Sequence, residues 1–366
     1  MKFLLKLILL LMVVAAGAGA WLWYSLTQPY QGFPAEGVFV DVPRGASSRG
    51  VARLLEKNGV ARSAIAFEIY ARRHPRRSMQ AGEYFFDRAL NSKDVFWKVA
   101  KGEVYEQPFT VREGETMFDI ARDLETAKFL PADDFLKAAN DGELIHDIAP
   151  GAKTLEGFLF PATYQLPRHP VATELAAQMV HKFKEEWSHL LNASPASGKS
   201  APSDGRPVES VVTLASLVER ETPRPEERPL VAGVFENRLR RGMPLQCDPT
   251  VIYALERLGQ YSGTLTGNDL RFDSPYNTYE HTGLPPGPVG NPGVASLRAA
   301  WQPSETDYLY FVANTQGGHF FSATLAEHNK NVVKYRRLLA GLPADPPVVQ
   351  AKEQKPQKKH HKGAAR

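Results

Sequence analysis

The sequence predicts a mixed α+β protein that a single amino-terminal helix tethers to a membrane. Three observations predict this fold class: an uncharged run of 18 residues near the start, a strand–turn–helix pattern that occurs twice, and a helix with apolar positions at i, i+3, i+4 and i+7. With 366 residues, 43% hydrophobic and 23% charged, the chain has ordinary globular composition and is long enough for about two or three domains.

Residues 7–24 are the predicted transmembrane helix. They carry no charge, and as a helix they would span about 27 Å, close to the thickness of a bilayer core. Lys2 and Lys6 precede them and the next basic residue is Arg44. The positive-inside bias therefore places residues 1–6 in the cytoplasm and the rest of this single-pass inner-membrane protein outside. The alternative is a cleaved signal peptide, but the apolar run is long for one and continues to Tyr24.

The charge of the chain is concentrated at its end. Residues 352–366 hold six basic residues and one acid, so a tail charge of +5 leaves −1 for the other 351 residues out of a total of +4. The body therefore offers no compositional case for nucleic acid binding. We expect residues 341–366 to be a disordered basic tail, which either solubilises the chain or touches anionic lipid or polymer. The one cysteine, Cys247, cannot form a disulfide within the chain.

Residues 37–145 contain the repeated pattern, after a turn-rich stalk at 25–36. An alternating strand at 38–42, Gly45, the helix cap Ser47 and an apolar-periodic helix return 69 residues later with Gly114 and Thr116. Two weak copies indicate a duplicated βα unit rather than a solenoid, which needs more repeats. The second copy, about 106–145, resembles LysM modules, which bind N-acetylglucosamine-containing glycans. The alternative is a small α/β domain that binds no glycan and serves only as a packing partner or a spacer.

Residues 150–340 form the third predicted region, the catalytic domain. A helix is expected from about 171 to 191. Residues 192–206 are rich in Ser, Pro, Gly and Ala, which predicts a flexible surface insertion that activity does not need.

A helix that begins near Val208 carries the candidate acid. Its apolar positions share a face with Glu219, whereas Glu221 lies about 200° around the helix and points elsewhere. Pro223 ends the helix, which leaves Glu219 in its last turn. Burial and the helix dipole would both raise the pKa of Glu219, the pattern of a general acid in glycoside-cleaving enzymes. The alternative is a carboxylate paired with a nearby arginine at a helix end.

The residues downstream carry a family resemblance. The motifs are Ala-Ser-Leu-Val-Glu-Arg-Glu-Thr at 215–222, Gln-Cys-Asp-Pro-Thr at 246–250, Tyr-Asn-Thr-Tyr at 276–279, Gly-Leu-Pro-Pro-Gly at 283–287, Asn-Pro-Gly at 291–293, Gly-Gly-His-Phe at 317–320 and His-Asn at 328–329. In this order, over about residues 38–337, the chain resembles the endolytic murein transglycosylase family (MltG, YceG-like). The departures are the insertion, Cys247 and the basic tail.

The resemblance implies cleavage of the MurNAc-β-1,4-GlcNAc bond within nascent peptidoglycan strands. By this resemblance Glu219 is the catalytic glutamate. It would protonate the glycosidic oxygen and then accept the proton of the MurNAc C6 hydroxyl, leaving a 1,6-anhydro end. A hydrolase normally needs two carboxylates. Because Glu221 faces away, one carboxylate is favoured, but Asp248 could approach Glu219 and keeps a muramidase-type hydrolase open.

Other residues are candidates for holding the sugars. Tyr276, Asn277, Thr278 and Tyr279 offer stacking faces and polar groups, or form a β-turn with core tyrosines. Gln246 and Asp248 could bind sugar hydroxyls, although Asp248 could instead cap a helix. The last candidates for contact near the substrate are Glu221, His319 and Asn329.

No cofactor is expected. His281, His319 and His328 lack metal-ligand spacing, so we also expect no metal. The resemblance implies penicillin-binding proteins as partners, besides the glycan strands and the membrane. A second class of function is a non-catalytic glycan-binding scaffold that recruits synthases.

Overall fold

The structure, a computed structural model, describes residues 2–192 and 205–344. They divide into two compact units that interleave along the chain. Among the described residues, unit 1 comprises 2–111, 121–135 and 162–175, and unit 2 comprises 112–120, 136–161, 176–192 and 205–344. The predicted insertion falls largely, and the run of basic residues at 352–366 wholly, outside the described residues. The predicted mixed α+β class is confirmed, with small two-stranded sheets among many helices.

The apolar run at the amino terminus forms helix α1, Lys2–Thr27. By length and composition it could cross a membrane, with a mean hydropathy of 2.4, and it is the one such helix among the described residues. Its last turn is buried at Ser25 and Leu26, and the carbonyl of Ser25 accepts a hydrogen bond from the Ser92 hydroxyl at 3.0 Å. The predicted stalk therefore begins inside this helix and is held against unit 1.

The first copy of the repeat has the order β–α–α–β. Gly45 has a φ of +76°, a left-handed turn that favours glycine, and Ser47 caps the following helix by accepting from the backbone of Gly50. The two strands pair antiparallel, with Val38 opposite Phe86. The elements are β1 Val38–Val42, α2 Ser48–Lys57, α3 Ala64–Arg72 and β2 Gly82–Phe86, followed by α4 Ser92–Lys101.

The second copy repeats this order. Gly114 has a φ of +83°, and the Thr116 hydroxyl accepts from the backbone N–H of Asp119 at 3.1 Å. Its elements are β3 Gln107–Thr110, α5 Met117–Thr126, α6 Ala132–Ala139 and β4 Thr163–Leu166. β3 and β4 pair antiparallel, so the strand that completes this copy lies beyond residue 145, where the sequence reading had ended it. The partner was missed because a long irregular segment separates the two strands.

Unit 1 is built on an aromatic core. Tyr84 and the rings of Phe67 and Phe96 are fully buried, and those two rings lie 6.0 Å apart. Val40 and Val42 alternate inward from β1. Burial of these side chains is the main force that holds the first copy together.

Unit 2 is mostly helical. Helix α7, predicted near 171–191, spans Ala172–Asn192, and the helix with the candidate acid, α8, spans Val208–Glu221 as predicted. The elements that follow are α9 Arg228–Arg240, α10 Asp248–Glu256, α11 Val294–Trp301, β5 Tyr310–Ala313, β6 His319–Ser322 and α12 Leu325–Leu339. Short 3₁₀ turns occupy Gly142–Ile145 and Asp269–Arg271.

Helix α8 is the centre of unit 2. Every residue from 211 to 218 is buried, and the helix packs against α9, α10 and α11. With neighbours on several sides the helix has no solvent-facing stripe over this stretch, so only its ends can present polar side chains. The carboxyl end, at Thr222 before Pro223, therefore brings Glu219 and Glu221 to the edge of the core.

Candidate active site

The last turn of α8 places two glutamates in different surroundings. Glu219 and Glu221 are two residues apart, which turns their side chains about 200° from each other. The structure confirms that they share no partner.

Glu219 is held in a buried ion pair. Arg228 at the start of α9 donates from Nη2 to Oε1 of Glu219 at 2.6 Å, and the backbone N–H of Gly293 donates to Oε2 at 2.9 Å. The exposed fraction of the side chain is 4% for Glu219 and 6% for Arg228. Arg228 also lies 3.4 Å from Oε2 of Glu113, a second acid on the same guanidinium.

These contacts act on the pKa of Glu219 and occupy both oxygens of its carboxylate. The pKa of Glu219 is raised, as predicted: burial is the largest cause and the Glu113 charge adds to it, while the Gly293 N–H and the Arg228 charge oppose the rise without cancelling it. Both carboxylate oxygens already accept hydrogen bonds, and protonation would leave the buried Arg228 without its closest counter-charge. The alternative considered for this residue, a carboxylate paired with an arginine at a helix end, is the arrangement that the structure contains.

Glu221 has no such cation. Its carboxylate is hydrogen-bonded by the thiol of Cys247, and no ion pair within 4 Å involves it in the described part of the chain. Burial is the largest cause and raises the pKa of Glu221. The Cys247 hydrogen bond opposes this rise, the nearby charge of Asp248 adds to it, and the charges of His319 and Arg238 oppose it more weakly. The residue keeps partial exposure. A raised pKa keeps a carboxyl group protonated closer to neutral pH, which is what a general acid requires.

Asp248 lies on the Glu221 side. It is the first residue of α10, whose N-cap position is occupied by Cys247, and its carboxylate accepts a hydrogen bond from the Tyr279 hydroxyl at 2.5 Å. The expected alternative of a helix cap is therefore not what the structure shows. Asp248 is exposed and its charge acts on Glu221, not on Glu219, where the sequence reading had placed its approach.

His319 also belongs to the Glu221 side, through a partner that the sequence reading missed. Nδ1 of His319 lies 2.7 Å from Oε2 of Glu227, and the His319 backbone N–H donates to Oε1 at 3.0 Å. Burial raises the pKa of Glu227, but the bonds from His319 outweigh it and the pKa is lowered overall. Glu227 lies in an unremarkable Pro-Glu-Glu run, so only the fold reveals its role in orienting the imidazole.

Two of the expected sugar contacts are structural. Asn277 is fully buried, and its side-chain amide donates to the carbonyls of Leu270 and Phe272. Its backbone N–H donates to the carbonyl of Ser274 and closes the turn. Thr278 is 1% exposed, and its hydroxyl accepts from the backbone of Cys247. Both polar groups are used inside the protein, so the β-turn alternative describes this pair.

The other residues expected to contact the sugar lie in different places in the structure. Gln246 is exposed in a left-handed conformation with a φ of 51° beside Cys247. Tyr276 does not join the Glu221 cluster and instead lines a cavity described below. Asn329 is exposed on α12, and no hydrogen bond between described residues connects it to Glu221. The cluster is therefore made by Glu221, Asp248, Tyr279, His319 and Glu227, with Cys247 beneath it.

Comparison with known proteins agrees with this fold. Residues 40–334 match the profile of the YceG-like family. A crystal structure of a YceG-like protein from Listeria monocytogenes superposes with a TM-score of 0.52 at 32% identity, covering 81% of this chain and 99% of that one.

Two characterised relatives carry an activity in their names. The endolytic murein transglycosylase of Bacillus subtilis is 34% identical over 326 residues, which is 85% of this chain and 88% of that protein. The endolytic murein transglycosylase of Streptococcus pneumoniae is 30% identical over 327 residues, 81% of this chain. The chain spans 58% of the length of the pneumococcal protein.

Proposed function

The chain belongs to the YceG-like family, and from that membership we propose that it is a lytic transglycosylase that cuts peptidoglycan glycan strands internally. The relatives named endolytic murein transglycosylase support the reaction class. The observation that supports a site is the Glu221 cluster, a carboxyl with a raised pKa and no cationic partner at ion-pair distance among the described residues. We assign the catalytic role to Glu221 in place of the expected Glu219, and we propose that the ion pair of Glu219 with Arg228 positions the turn.

The proposed mechanism uses one carboxyl group twice. Protonated Glu221 donates its proton to the glycosidic oxygen as the MurNAc–GlcNAc bond breaks. The resulting carboxylate then accepts the proton of the MurNAc C6 hydroxyl as that oxygen bonds to the anomeric carbon. The strand is cut, a 1,6-anhydro end forms, and no water is consumed.

A second candidate function, a muramidase-type hydrolase, is favoured by one observation. Asp248 lies near enough to Glu221 for its charge to raise the pKa of that residue, so two carboxylates face the same place. Hydrolysis with two carboxylates is the common pattern of glycosidases. Against it, Oδ1 of Asp248 already accepts a hydrogen bond from the Tyr279 hydroxyl at 2.5 Å, which leaves this carboxylate less able to act as a second catalytic group.

Product analysis separates the two reactions. Purified glycan strands are digested with the protein lacking residues 1–24, and the released ends are identified by mass spectrometry. We expect 1,6-anhydro ends that borohydride does not reduce. Ends heavier by one water, and reducible, would replace the lytic assignment with hydrolysis.

The anchor and its orientation complete the proposal. Helix α1 would hold the protein in the inner membrane with residues 1–6 inside, so that the enzymatic unit faces the peptidoglycan. Protease added to spheroplasts should then remove everything beyond α1. Protection of that part would reverse the orientation.

The second β–α–α–β copy is proposed as a LysM-like glycan-binding element, and strand-polymerising synthases such as penicillin-binding proteins as partners. Replacing Glu221 with Gln distinguishes an enzyme from a scaffold. A scaffold would keep its cellular phenotype with this variant, whereas an enzyme would lose it while still binding glycan.

A further inference from the structure

Unit 2 contains a cavity of about 280 Å³ that the Glu221 cluster does not use. Glu209 lines it from the first turn of α8, whereas Glu221 is the last residue of that helix. The rise of 1.5 Å per residue sets the two carboxylates roughly 18 Å apart along the helix axis. The cavity is therefore a separate site in the same unit, on the scale of a small-ligand pocket.

Charged groups of both signs line this cavity. Lys153 and Arg257 are exposed, and no acid of the described residues lies within ion-pair distance of either. Glu209 supplies the opposite charge. A side chain at position 151 would meet Oε2 of Glu209 at 2.5 Å, so Gly151 leaves the room that this carboxylate occupies. Two unpaired cations beside one acid favour a ligand that carries carboxylates and an amine.

The aromatic wall of the cavity is fixed in place. Tyr253 is 2% exposed and its hydroxyl is hydrogen-bonded to the buried Glu156. Its ring lies 5.1 Å from that of Tyr276, and the guanidinium of Arg257 covers the Tyr276 ring at 4.9 Å. The stacking face that a sugar would need on Tyr276 already holds this cation, while the guanidinium edge remains available for a carboxylate.

We propose that this cavity binds the peptide that the glycan strand carries, a short chain with free carboxylates and an amino group. Arg257 and Lys153 would bind the carboxylates, Glu209 the amine, and the tyrosine and proline walls the aliphatic part. The enzyme would then prefer glycan that bears peptides over glycan from which they have been removed. This proposal rests on the proposed function in one respect, that the strand the protein cuts is peptidoglycan.

The test compares two substrates and three proteins. Strands with their peptides, and the same strands after an amidase has removed them, are digested with wild type, Arg257→Ala and Arg336→Ala. Arg336 is a matched control, because it is an exposed arginine on α12 with no ion pair in the described structure. We expect Arg257→Ala to slow cleavage of peptide-bearing strands about tenfold, the worth of one charge-assisted hydrogen bond, and to leave peptide-free strands and the control unchanged.

If Arg257→Ala loses the same share of its cleavage rate on both substrates, the cavity either binds a sugar or has only a structural role, and the proposal is overturned. No loss of rate on either substrate would also overturn it. Binding is measured independently, by calorimetric titration of a synthetic tripeptide with two carboxylates and one amine. Binding to wild type and about tenfold weaker binding to Arg257→Ala supports the site. Absence of binding to wild type refutes the proposed site even if strands are cut, whereas failure to cut either kind of strand, with the tripeptide still bound, refutes the proposed function alone.

Discussion

Glu219 and Glu221 occupy the same turn of the same helix, yet their surroundings differ in one decisive respect. Burial raises the pKa of both carboxyl groups. Glu219 faces Arg228 at 2.6 Å and has both oxygens occupied, whereas Glu221 faces a thiol, a second acid and an imidazole that another glutamate holds. Burial alone does not make an acid catalyst, because the partners decide whether the proton can leave and return.

The largest expected effect is on Glu221. Replacing it with Gln removes the transferable proton and keeps the shape. The rate of strand cleavage should fall about 10²- to 10⁴-fold, the usual contribution of a general acid. The rate is measured by chromatography of released fragments, with circular dichroism as the control for folding. Residual activity within threefold of wild type would remove Glu221 from the mechanism.

The next effect is on the stability that Glu219 supplies. Glu219→Ala leaves the buried Arg228 without its main partner, which should cost about 3–5 kcal/mol of unfolding free energy, measured by urea titration. Adding Arg228→Met should restore part of that loss, since it removes the uncompensated charge. A cost below about 1 kcal/mol, with no recovery in the double variant, would show that the pair is not structural.

Glu156 provides a buried carboxyl without an arginine at ion-pair distance among the described residues. Burial raises its pKa to about 8 from an ordinary 4.5, against the opposing Met117 N–H, Tyr253 and the Arg220 charge. Because the pKa of Glu156 is higher in the folded than in the unfolded state, its contribution to the unfolding free energy is complete below pH 4.5 and is lost as the pH rises to about 8. Wild type should lose a few kcal/mol over that window and Glu156→Gln much less. Parallel stability–pH curves for the two proteins would contradict this.

Asp248 and Tyr279 should matter less than Glu221. Tyr279→Phe removes the hydroxyl that holds Asp248, which would let the carboxylate move and weaken sugar binding. We expect KM to rise about tenfold with little change in kcat, as for the loss of one hydrogen bond to a charged group. Asp248→Asn is the companion variant. A loss of kcat comparable to that of Glu221→Gln would instead make Asp248 a second catalytic carboxylate and favour the hydrolase.

The smallest effect concerns Cys247. Its thiol bond to Glu221 lowers the pKa of that residue, so Cys247→Ala should raise it further. A general acid is active while protonated, and kcat/KM therefore falls as the pH rises through the Glu221 pKa. The alkaline limb of the wild-type profile should lie above the ordinary glutamate value, and the variant's limb should lie higher still. An alkaline limb at lower pH in Cys247→Ala than in wild type would mean that the thiol does not lower the pKa of Glu221.

The sequence predicts the features that depend on residues close together in the chain, and it misses those that depend on distant residues. The apolar amino-terminal helix, the paired Gly–Ser/Thr turns before α2 and α5 and the bounds of α8 were predictable, because each depends on neighbours within a few residues. The partner of β3 was not, since β4 lies more than 50 residues away.

The site divides in the same way. The helix geometry that separates Glu219 from Glu221 was correct. The arginine that pairs with Glu219 and the glutamate that holds His319 come from α9 and its entry, and side-chain spacing in α8 carries no information about them. Asn277 and Thr278 were expected to face sugars because their groups suit them, but the turn buries and uses those groups.

The central claim is that Glu221 and not Glu219 donates the proton. The direct measurement is the amount of 1,6-anhydro ends formed per mole of folded protein by Glu221→Gln and Glu219→Gln, assayed on the same glycan strands well below both melting temperatures. The account predicts that Glu219→Gln still forms these ends and that Glu221→Gln forms none above background. Abundant ends from Glu221→Gln, with none from folded Glu219→Gln, would contradict it.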